Sequence, residues 1–269
     1  MVVINNWSEV IERVSRFRNK QLYVTNFYPN ENEVRNWIKE QSFFVVDIDD
    51  DSSCFLHRNE NMNFIHLYLK SMEIMPVALQ AIRNKYPDKF FVFDWICKSD
   101  EERILLNKLI NDCKFELHTS LRRMSLVLKE NKYKDEDTVN YAQENDIEEL
   151  HSFFHSTFDP VSERIPTKEK FQQYISLNSV LLIRNQGEIA GVAIIDIQKK
   201  TMYLKHIVTN KKFRGQGIAS KLLNKAFYLS KECFRYILWV IEDNHSAIKL
   251  YKKFGYEFEA LTDYTIVST

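Results

Sequence analysis

The sequence predicts a protein of the α/β class, more narrowly an α+β fold, in which helices flank a mixed central sheet and two similar domains follow in tandem. Three observations support this prediction. Segments of helix-like and strand-like apolar periodicity alternate along the chain. Their order occurs twice. The length of 269 residues suffices for two domains of ordinary size.

The first predicted domain covers residues 1–133. It begins with two segments whose apolar residues recur near every 3.6 positions and continues with strand-like runs separated by polar turns. Ser99 or Asp100 is a plausible N-cap for its last helix. The predicted helices are 7–17, 31–38, 77–84 and 101–112. The predicted strands are 43–48, 53–57, 64–69, 90–97 and 117–128.

A stretch rich in Lys, Asp, Glu and Asn, residues 129–137, is the best candidate for a linker. The second predicted domain, 137–269, repeats the order of the first. The predicted helices are 146–154, 168–175, 218–230 and 246–254. The predicted strands are a short one near 139, then 179–184, 189–198, 201–209, 236–241 and 257–267.

A direct alignment supports the repeat. Residues 91–110 align without gaps on 235–254, and the two segments share Trp95 with Trp239 and Leu106 with Leu250, among other identities. Together with the shared order of elements, this favours two copies of one fold.

Composition excludes several classes of function. Thirty-seven basic residues balance thirty-seven acidic ones, which leaves no electrostatic footprint for nucleic acid or for an anionic membrane. No segment has the apolar length of a membrane span, and the first residues do not resemble a secretory signal. The four cysteines lack metal-binding spacing. We therefore expect a cytoplasmic protein with free thiols and no metal.

The glycines point to the second domain. All five lie at or after Gly187, and two of them belong to the run Arg214-Gly215-Gln216-Gly217 between a predicted strand and a predicted helix. A helix N-terminus presents free N–H groups, so a basic loop rich in glycine at that place suits a pyrophosphate. On these residues alone, a tight turn that binds nothing remains the alternative. The run matches neither a P-loop nor a dinucleotide-binding fingerprint.

A second motif follows about thirty residues later, Asn244-x-x-Ala247-x-x-Leu250-Tyr251-x-x-x-Gly255-Tyr256. Together, the two motifs resemble those of the GNAT superfamily of acyl-CoA-dependent N-acyltransferases in both order and spacing. The resemblance covers about residues 137–269 and implies a central sheet of GNAT type. Lys211 departs from the pattern, because many relatives carry proline there.

The resemblance implies an acetyl-CoA site where the strands 201–209 and 236–241 diverge. Backbone groups around Ile207 and Val208 would bind the pantetheine arm, and Asn244 would meet it at the next helix. The residues expected to hold the pyrophosphate are Arg214, Gly215, Gln216, Gly217, Ile218, Ala219 and Ser220.

The resemblance also implies that Tyr251 is the general acid that protonates the leaving thiolate. The base is less defined. His206 shares a strand face with Val208, and Glu242 ends the neighbouring strand. Both remain candidates beside the alternatives of a structural histidine and a solvated glutamate.

The first domain lacks this machinery. The stretch that would form its phosphate loop, 70–76, contains no glycine and carries Glu73, and Asn107 aligns with Tyr251. We therefore expect a degenerate copy with a structural or substrate-shaping role.

The resulting hypothesis is an N-acetyltransferase that transfers an acetyl group from acetyl-CoA to a primary amine of a small molecule or peptide, by direct attack in a ternary complex. The alternative is a non-catalytic acyl-CoA-binding sensor or scaffold on the same fold. The balanced charge disfavours nucleic-acid binding as a third function.

Overall fold

The computed structural model of the chain describes residues 1–18, 23–59, 61–130 and 133–269. The chain divides into two compact units. Unit 1 comprises Met1–Ser120 and Leu261–Thr269, and unit 2 comprises Leu121–Ala260. The sequence instead suggests domains at 1–133 and 137–269. The two divisions differ because residues 121–127 pair with a strand from the second half of the chain and residues 262–267 pair with a strand from the first half.

Unit 1 contains a sheet in the order β1-β3-β4-β5-β6, to which residues 262–267 add a further strand beside β6. All neighbours are antiparallel except β5 and β6, which are parallel. Its helices are α1 (Trp7–Arg18), α2 (Glu31–Lys39), α3 (Met75–Lys85) and α4 (Asp100–Asn111). Its strands are β1 (Val2–Val3), β2 (Val24–Thr25), β3 (Phe43–Asp49), β4 (Ser52–Asn59), β5 (Met62–Leu69), β6 (Phe91–Cys97) and the beginning of β7 (Phe115–Val127).

Polar caps start two of these helices. The Asn30 side chain accepts a bond from the Glu33 N–H at 3.0 Å while the Glu33 carboxylate accepts one from the Asn30 N–H, which satisfies two of the free donors at the start of α2. Ser99 accepts a bond from the Glu102 N–H at 3.3 Å and caps α4. Ser99 is thus the N-cap, whereas Asp100 is the first residue of the helix.

Unit 2 contains a sheet in which residues 121–127 of β7 are followed by β12, β11, β10, β9 and β8. Its one parallel pair among the described strands is β11 with β12. The helices are α5 (Ile147–His155), α6 (Lys168–Ser176), α7 (Ile218–Leu229) and α8 (His245–Lys253). The strands are β8 (Asn140–Tyr141), β9 (Val180–Asn185), β10 (Glu188–Gln198), β11 (Thr201–Thr209), β12 (Arg235–Ile241) and the beginning of β13 (Glu257–Ser268).

The two units repeat one order of elements. Each has a short strand, two helices, three antiparallel strands, a helix, a parallel strand, a helix and a long strand. The predicted α+β fold with a mixed sheet and flanking helices is therefore confirmed.

Two apolar clusters cover the sheet of unit 2. One contains Phe227 of α7, Tyr236 of β12 and Tyr256, all fully buried, together with Tyr251 of α8. The other contains Phe154 of α5 and Phe171 of α6 against β9 and β10. Burial of such large aromatic side chains supplies most of the driving force for this packing.

The predicted linker, 129–137, includes residues 131 and 132, which lie outside the described residues. The part that follows is tied to α7. The Tyr133 ring stacks on Phe227 with centroids 4.3 Å apart, Asp135 forms an ion pair with Lys225, and Glu136 accepts a bond of 2.8 Å from Asn224. Residues 133–136 therefore pack as part of unit 2.

None of the helices in the described part of the chain combines the length and the apolar character that crossing a bilayer would need.

Candidate active site

The central feature of unit 2 is an opening between its parallel strands. β11 and β12 are paired from Thr201 with Arg235 to Leu204 with Leu238, where the register ends. Beyond that point β11 stays paired with β10, and β12 stays paired with residues 121–123 of β7. Each strand keeps its outer neighbour while the two inner edges separate, as the family resemblance implies.

A bulge marks the start of the separation. Ile194 of β10 faces His206 while Ile195 faces Leu204, so Lys205 is the additional residue on β11. A bulge of this kind bends its strand and increases the local twist, which turns the end of β11 away from β12.

The register also decides which backbone groups face the opening. The Asn210 N–H donates to the Ala190 carbonyl at 2.9 Å, so every second residue back from Asn210, Val208 included, directs its N–H and C=O towards β10. Ile207 and Thr209 direct theirs to the opposite side, into the opening. Of the two residues expected to bind a pantetheine arm, Ile207 presents free groups there, whereas those of Val208 are used within the sheet.

The basic glycine-containing loop follows β11 directly. A short 3₁₀ turn at Lys211–Phe213 leads to Gly215 and Gly217, which adopt φ angles of 78° and 77°. Such angles favour glycine. Gly217 is the N-cap of α7 and has no side chain that accepts a bond from the first turn, so the N–H groups there remain available to an anion.

Two cations at this loop are available for a ligand. Within the described part of the chain, Arg214 and Lys211 have no carboxylate in ion-pair contact, and both side chains belong to exposed residues. Lys212 differs, because its ammonium contacts the Glu188 carboxylate at 2.8 Å. The charge that a pyrophosphate would meet therefore comes from Arg214 and Lys211 together with the helix N-terminus.

Neighbouring residues hold this loop in place. The Asn210 side chain donates to the Ile189 carbonyl at 3.1 Å and accepts from the Lys212 N–H at 3.1 Å. Gly191 of β10 lies beneath the start of α7, where a Cβ atom would approach Ile218 Cγ2 to 2.4 Å. The absence of a side chain at Gly191 thus allows the N-terminus of α7 to pack closely on the sheet.

Tyr251 is buried on α8, with 5 % of its surface exposed. It belongs to the same apolar cluster as Leu204 and Leu238, the last paired residues before the opening. Burial raises the pKa of its hydroxyl, and the nearby Glu163 carboxylate raises it further. Tyr251 therefore remains protonated at neutral pH and can donate a proton.

Glu163 is the residue that the sequence motifs missed. It lies in the loop between α5 and α6, half-buried, and is close enough to Tyr251 to influence its pKa. Burial, reinforced by the Asp159 carboxylate, raises the pKa of Glu163 to about 7. A carboxyl group with a pKa near the working pH is suited to accept and release protons.

The two base candidates from the sequence have different surroundings. His206 packs edge-on against Phe154 with ring centroids 5.5 Å apart, and it contacts Phe158 at 5.4 Å. Its Nδ1 is buried and has no hydrogen-bond partner among the residues that the structure describes. Burial, with a smaller contribution from Lys205, lowers the pKa of His206 to about 4, so the ring is neutral at pH 7 and weakly basic. Glu242 is exposed, directly after the end of β12.

The remaining predicted residues lie at the two helix starts. Asn244 is the N-cap of α8, and its side chain accepts bonds from the Ala247 N–H at 3.1 Å and from the Ser246 hydroxyl at 3.0 Å. Gln216 is exposed, and Ala219 and Ser220 are partly buried in the first turn of α7. No group of three or more candidate metal ligands occurs within the described residues.

Comparisons with known proteins place this site in a family context. Residues 145–256 match the model of the acetyltransferase (GNAT) family. An uncharacterized N-acetyltransferase of Methanocaldococcus jannaschii is 40% identical over 67 residues, which cover 24% of this chain and 30% of that protein. The thialysine N-epsilon-acetyltransferase of Sus scrofa is 38% identical over 58 residues, 21% of this chain and 34% of that protein. The matches thus span about a third of the length of these relatives.

Solved structures resemble the fold over nearly the whole chain. A tandem GNAT protein from the clavulanic acid biosynthesis pathway superposes with a TM-score of 0.62 at 10% identity and covers 99% of this chain and 97% of its own. A GNAT-family acetyltransferase from Colwellia psychrerythraea gives 0.58 at 12% identity, with coverage of 98% and 97%. At such identities the likeness concerns the fold, and the fold includes the tandem arrangement. Together with the family match at 145–256, it shows that the C-terminal part of this chain is similar to the GNAT family in sequence and in fold.

Proposed function

We propose that this protein is an N-acetyltransferase that transfers an acetyl group from acetyl-CoA to a primary amine. One observation carries the proposal. The opening between β11 and β12 begins on the same strand that leads into the exposed, basic N-terminus of α7. A strand edge with free peptide groups and an adjacent anion site fit the two parts of CoA, its amide-containing arm and its pyrophosphate.

The residues on this path have separate tasks. The N–H groups at 215–219 and the Arg214 guanidinium bind the pyrophosphate, and the free backbone groups of Ile207 bind the arm. The thioester supplies an acyl carbon that an amine can attack, so that a C–N bond forms and the C–S bond breaks. Tyr251 donates its proton to the departing sulfur.

We propose Glu163 as the group that takes the proton from the attacking ammonium. His206 and Glu242 remain the other candidate bases. A base must be partly ionised at the working pH and strong enough to accept a proton. The raised pKa of Glu163, about 7, meets both conditions. The lowered pKa of His206, about 4, makes it a weaker base. The acceptor attacks directly in a ternary complex, because none of the four buried cysteines has the lowered pKa of an activated nucleophile.

The four cysteines also support the proposed cytoplasmic location. All of them are free thiols, as expected in a reducing compartment.

Thermal unfolding with acetyl-CoA tests the binding site. A ligand at 100 times its dissociation constant stabilises the native state by about 2.7 kcal/mol, which raises the melting temperature by several degrees. We expect Arg214→Glu to lose most of this shift without lowering the melting temperature of the free protein. The matched control is Lys231→Glu, an exposed charge reversal beyond the far end of α7, which should keep the shift. Equal shifts in both variants would contradict the assignment of the pyrophosphate site.

Release of free CoA thiol in the presence of a panel of amines then tests catalysis. Turnover with any primary amine supports the transferase. A thermal shift without turnover across small amines and peptides with a free N-terminus or lysine would favour the non-catalytic sensor or scaffold instead.

A further inference from the structure

Unit 1 contains an opening of the same kind as unit 2. Its parallel strands β5 and β6 are paired at Asn63 with Phe91 and at Phe64 with Val92, and the register ends there. β5 continues to Leu69 and β6 to Cys97. Two strand edges therefore separate in unit 1 directly after its own parallel ladder.

The chain itself occupies this opening. β2 runs antiparallel along the far part of β5, with Val24 opposite Leu69 and Thr25 opposite Tyr68. The Thr25 hydroxyl donates to the Leu67 carbonyl at 2.6 Å. The segment belongs to the connection between α1 and α2, the counterpart of the connection in unit 2 that carries Glu163.

Asn26 forms the central contact. Its side chain is buried, with 3 % exposed, and Nδ2 donates to the Ile65 carbonyl of β5 at 2.9 Å and to the Asp94 carbonyl of β6 at 3.0 Å. Its Oδ1 accepts a bond of 2.6 Å from the Leu67 N–H. A primary amide offers two donors and an acceptor, so this one side chain bridges both strands where the ladder ends.

The next residues fix the segment from both sides. The Phe27 ring lies 5.5 Å from Phe55 and 5.6 Å from Tyr68, within the apolar cluster under α1 and α2. The Tyr28 hydroxyl accepts a bond of 3.4 Å from the Ile96 N–H of β6. Residues 24–28 thus make hydrogen bonds with both separated strands and pack a partly buried aromatic side chain against the apolar cluster.

We propose that residues 24–28 are an internal substitute for the amide-containing arm of acyl-CoA, so that unit 1 is a permanently closed copy of the site and the protein binds one CoA per chain, in unit 2. The identification of the opening as a former CoA site rests on the proposed function. The observation that residues 24–28 fill the opening does not rest on the proposed function, because it is defined by the contacts of Asn26, Thr25 and Tyr28.

Hydrogen exchange on the full chain tests the filling. We expect the Leu67 amide to be protected in the wild-type protein without ligand, and saturating CoA to leave that protection unchanged. Asn26→Ala removes the bond to Leu67 and should speed exchange there by at least about tenfold, while lowering the first unfolding transition. Asn5→Ala, an exposed asparagine of the same unit with a single local bond, is the matched control and should change neither quantity.

Calorimetric titration with CoA counts the sites. One CoA per chain, with an affinity within about twofold of wild type in Asn26→Ala, supports the proposal. Truncation of the Asn26 side chain in unit 1 changes no residue of the CoA site proposed in unit 2. A second CoA per chain, or a Leu67 amide that exchanges freely in the wild type, would overturn it. Absence of any CoA binding would count against the proposed function alone. Hydrogen exchange of the Leu67 amide in the wild-type protein decides whether the opening is filled, and it does so even if Asn26→Ala does not fold.

Discussion

Unit 1 and unit 2 share one order of elements and differ at the place where their parallel strands separate. In unit 2, the strand edge leads into Gly217 and a helix start with free N–H groups and exposed cations. In unit 1, the corresponding helix α3 has Pro76 in its first turn, preceded by Glu73. A hydrogen bond from Ser71 lowers the pKa of Glu73, which keeps it anionic. Proline lacks an N–H group and the carboxylate repels a phosphate, so the anion site is lost.

If unit 1 is a closed copy of the site, as proposed, one fold has kept its architecture without its ligand. The separated strands of unit 1 still have backbone groups that need partners, because buried peptide groups without hydrogen bonds are costly. Asn26 and Thr25 supply those partners from within the chain. In the proposed function of unit 2, the co-substrate has this role.

The largest expected effect is on the folding of isolated fragments, which depends on the residues at which each fragment begins and ends. A fragment of residues 137–269 lacks 121–127, the strand that pairs with β12 along its whole length from Arg235 to Ile241. It also carries residues 262–267, which pair with β6 of unit 1. We expect this fragment to aggregate, because both features leave open strand edges. A fragment of 121–260 should fold as a monomer with dispersed amide resonances. Equal behaviour of the two fragments would show that the strand 121–127 is dispensable.

Substitution at the proposed acid should have the next largest effect. Tyr251→Phe removes only the hydroxyl from a buried ring, and we expect turnover to fall by about 10²–10⁴-fold with unchanged CoA affinity. The aligned residue of unit 1 gives the matched control, since Asn107→Ala alters the same helix position in the closed copy. Steady-state rates and titrations with CoA measure both quantities. A fall of equal size in the two variants would indicate a loss of stability rather than of an acid.

The dependence of the rate on pH should change with Glu163. A base acts in its ionised form, and the pKa of Glu163 is raised to about 7, so the rate should rise with pH and level off above that value. Glu163→Gln should lower the rate and abolish this rise. Glu242→Gln, at the exposed end of β12, should preserve it. The same amine acceptor is used throughout, so that its own titration cancels. If the rise of the rate with pH persists in Glu163→Gln but disappears in Glu242→Gln, the general base is Glu242 and not Glu163.

A smaller effect is expected at Glu259 of unit 2. Burial alone would raise its pKa, but hydrogen bonds from Ser125, Arg123 and Arg235 outweigh burial and hold the pKa of Glu259 below its usual value. A carboxylate with a lowered pKa stabilises the fold above its unfolded pKa, and this contribution is lost as the pH falls through the folded value. Glu259→Gln should therefore lower the melting temperature by a few degrees at pH 7, with the difference shrinking below pH 4. A constant difference across that range would contradict the ionic explanation.

Much of the fold could be predicted from the sequence, because its elements have clear apolar periodicity. The predicted strand 201–209 coincides with β11, and the helix predicted at 218–230 differs from α7 by one residue at its end. Local periodicity does not encode pairing partners. The pairing of 121–127 with β12 and of 262–267 with β6 therefore appears in the structure alone.

The candidate site, like the fold, could be predicted from the sequence only in part. Glycine spacing and the segment around Tyr251 carry a local signature, because a helix N-terminus and a helix face are defined by consecutive residues. Glu163 and Asn26 have none. Each is a single polar residue in an irregular loop, and its importance depends on residues far away in the chain. Pro160 and Pro166 on either side of Glu163 are the one hint in the sequence, because they predict a loop, and loops often line sites.

The pairing of β6 with residues 262–267 has a consequence for synthesis of the chain. The ribosome makes most of unit 1 first, yet the strand beside β6 emerges only after the whole of unit 2 has been made. At typical elongation rates, this delay is on the order of ten seconds. During that time the edge of β6, which bears Phe91, Phe93 and Trp95, lacks its native partner. Unit 1 is thus translated first but completed last. A nascent chain that stalls before residue 262 exposes the edge of β6 to other nascent chains on the same messenger RNA.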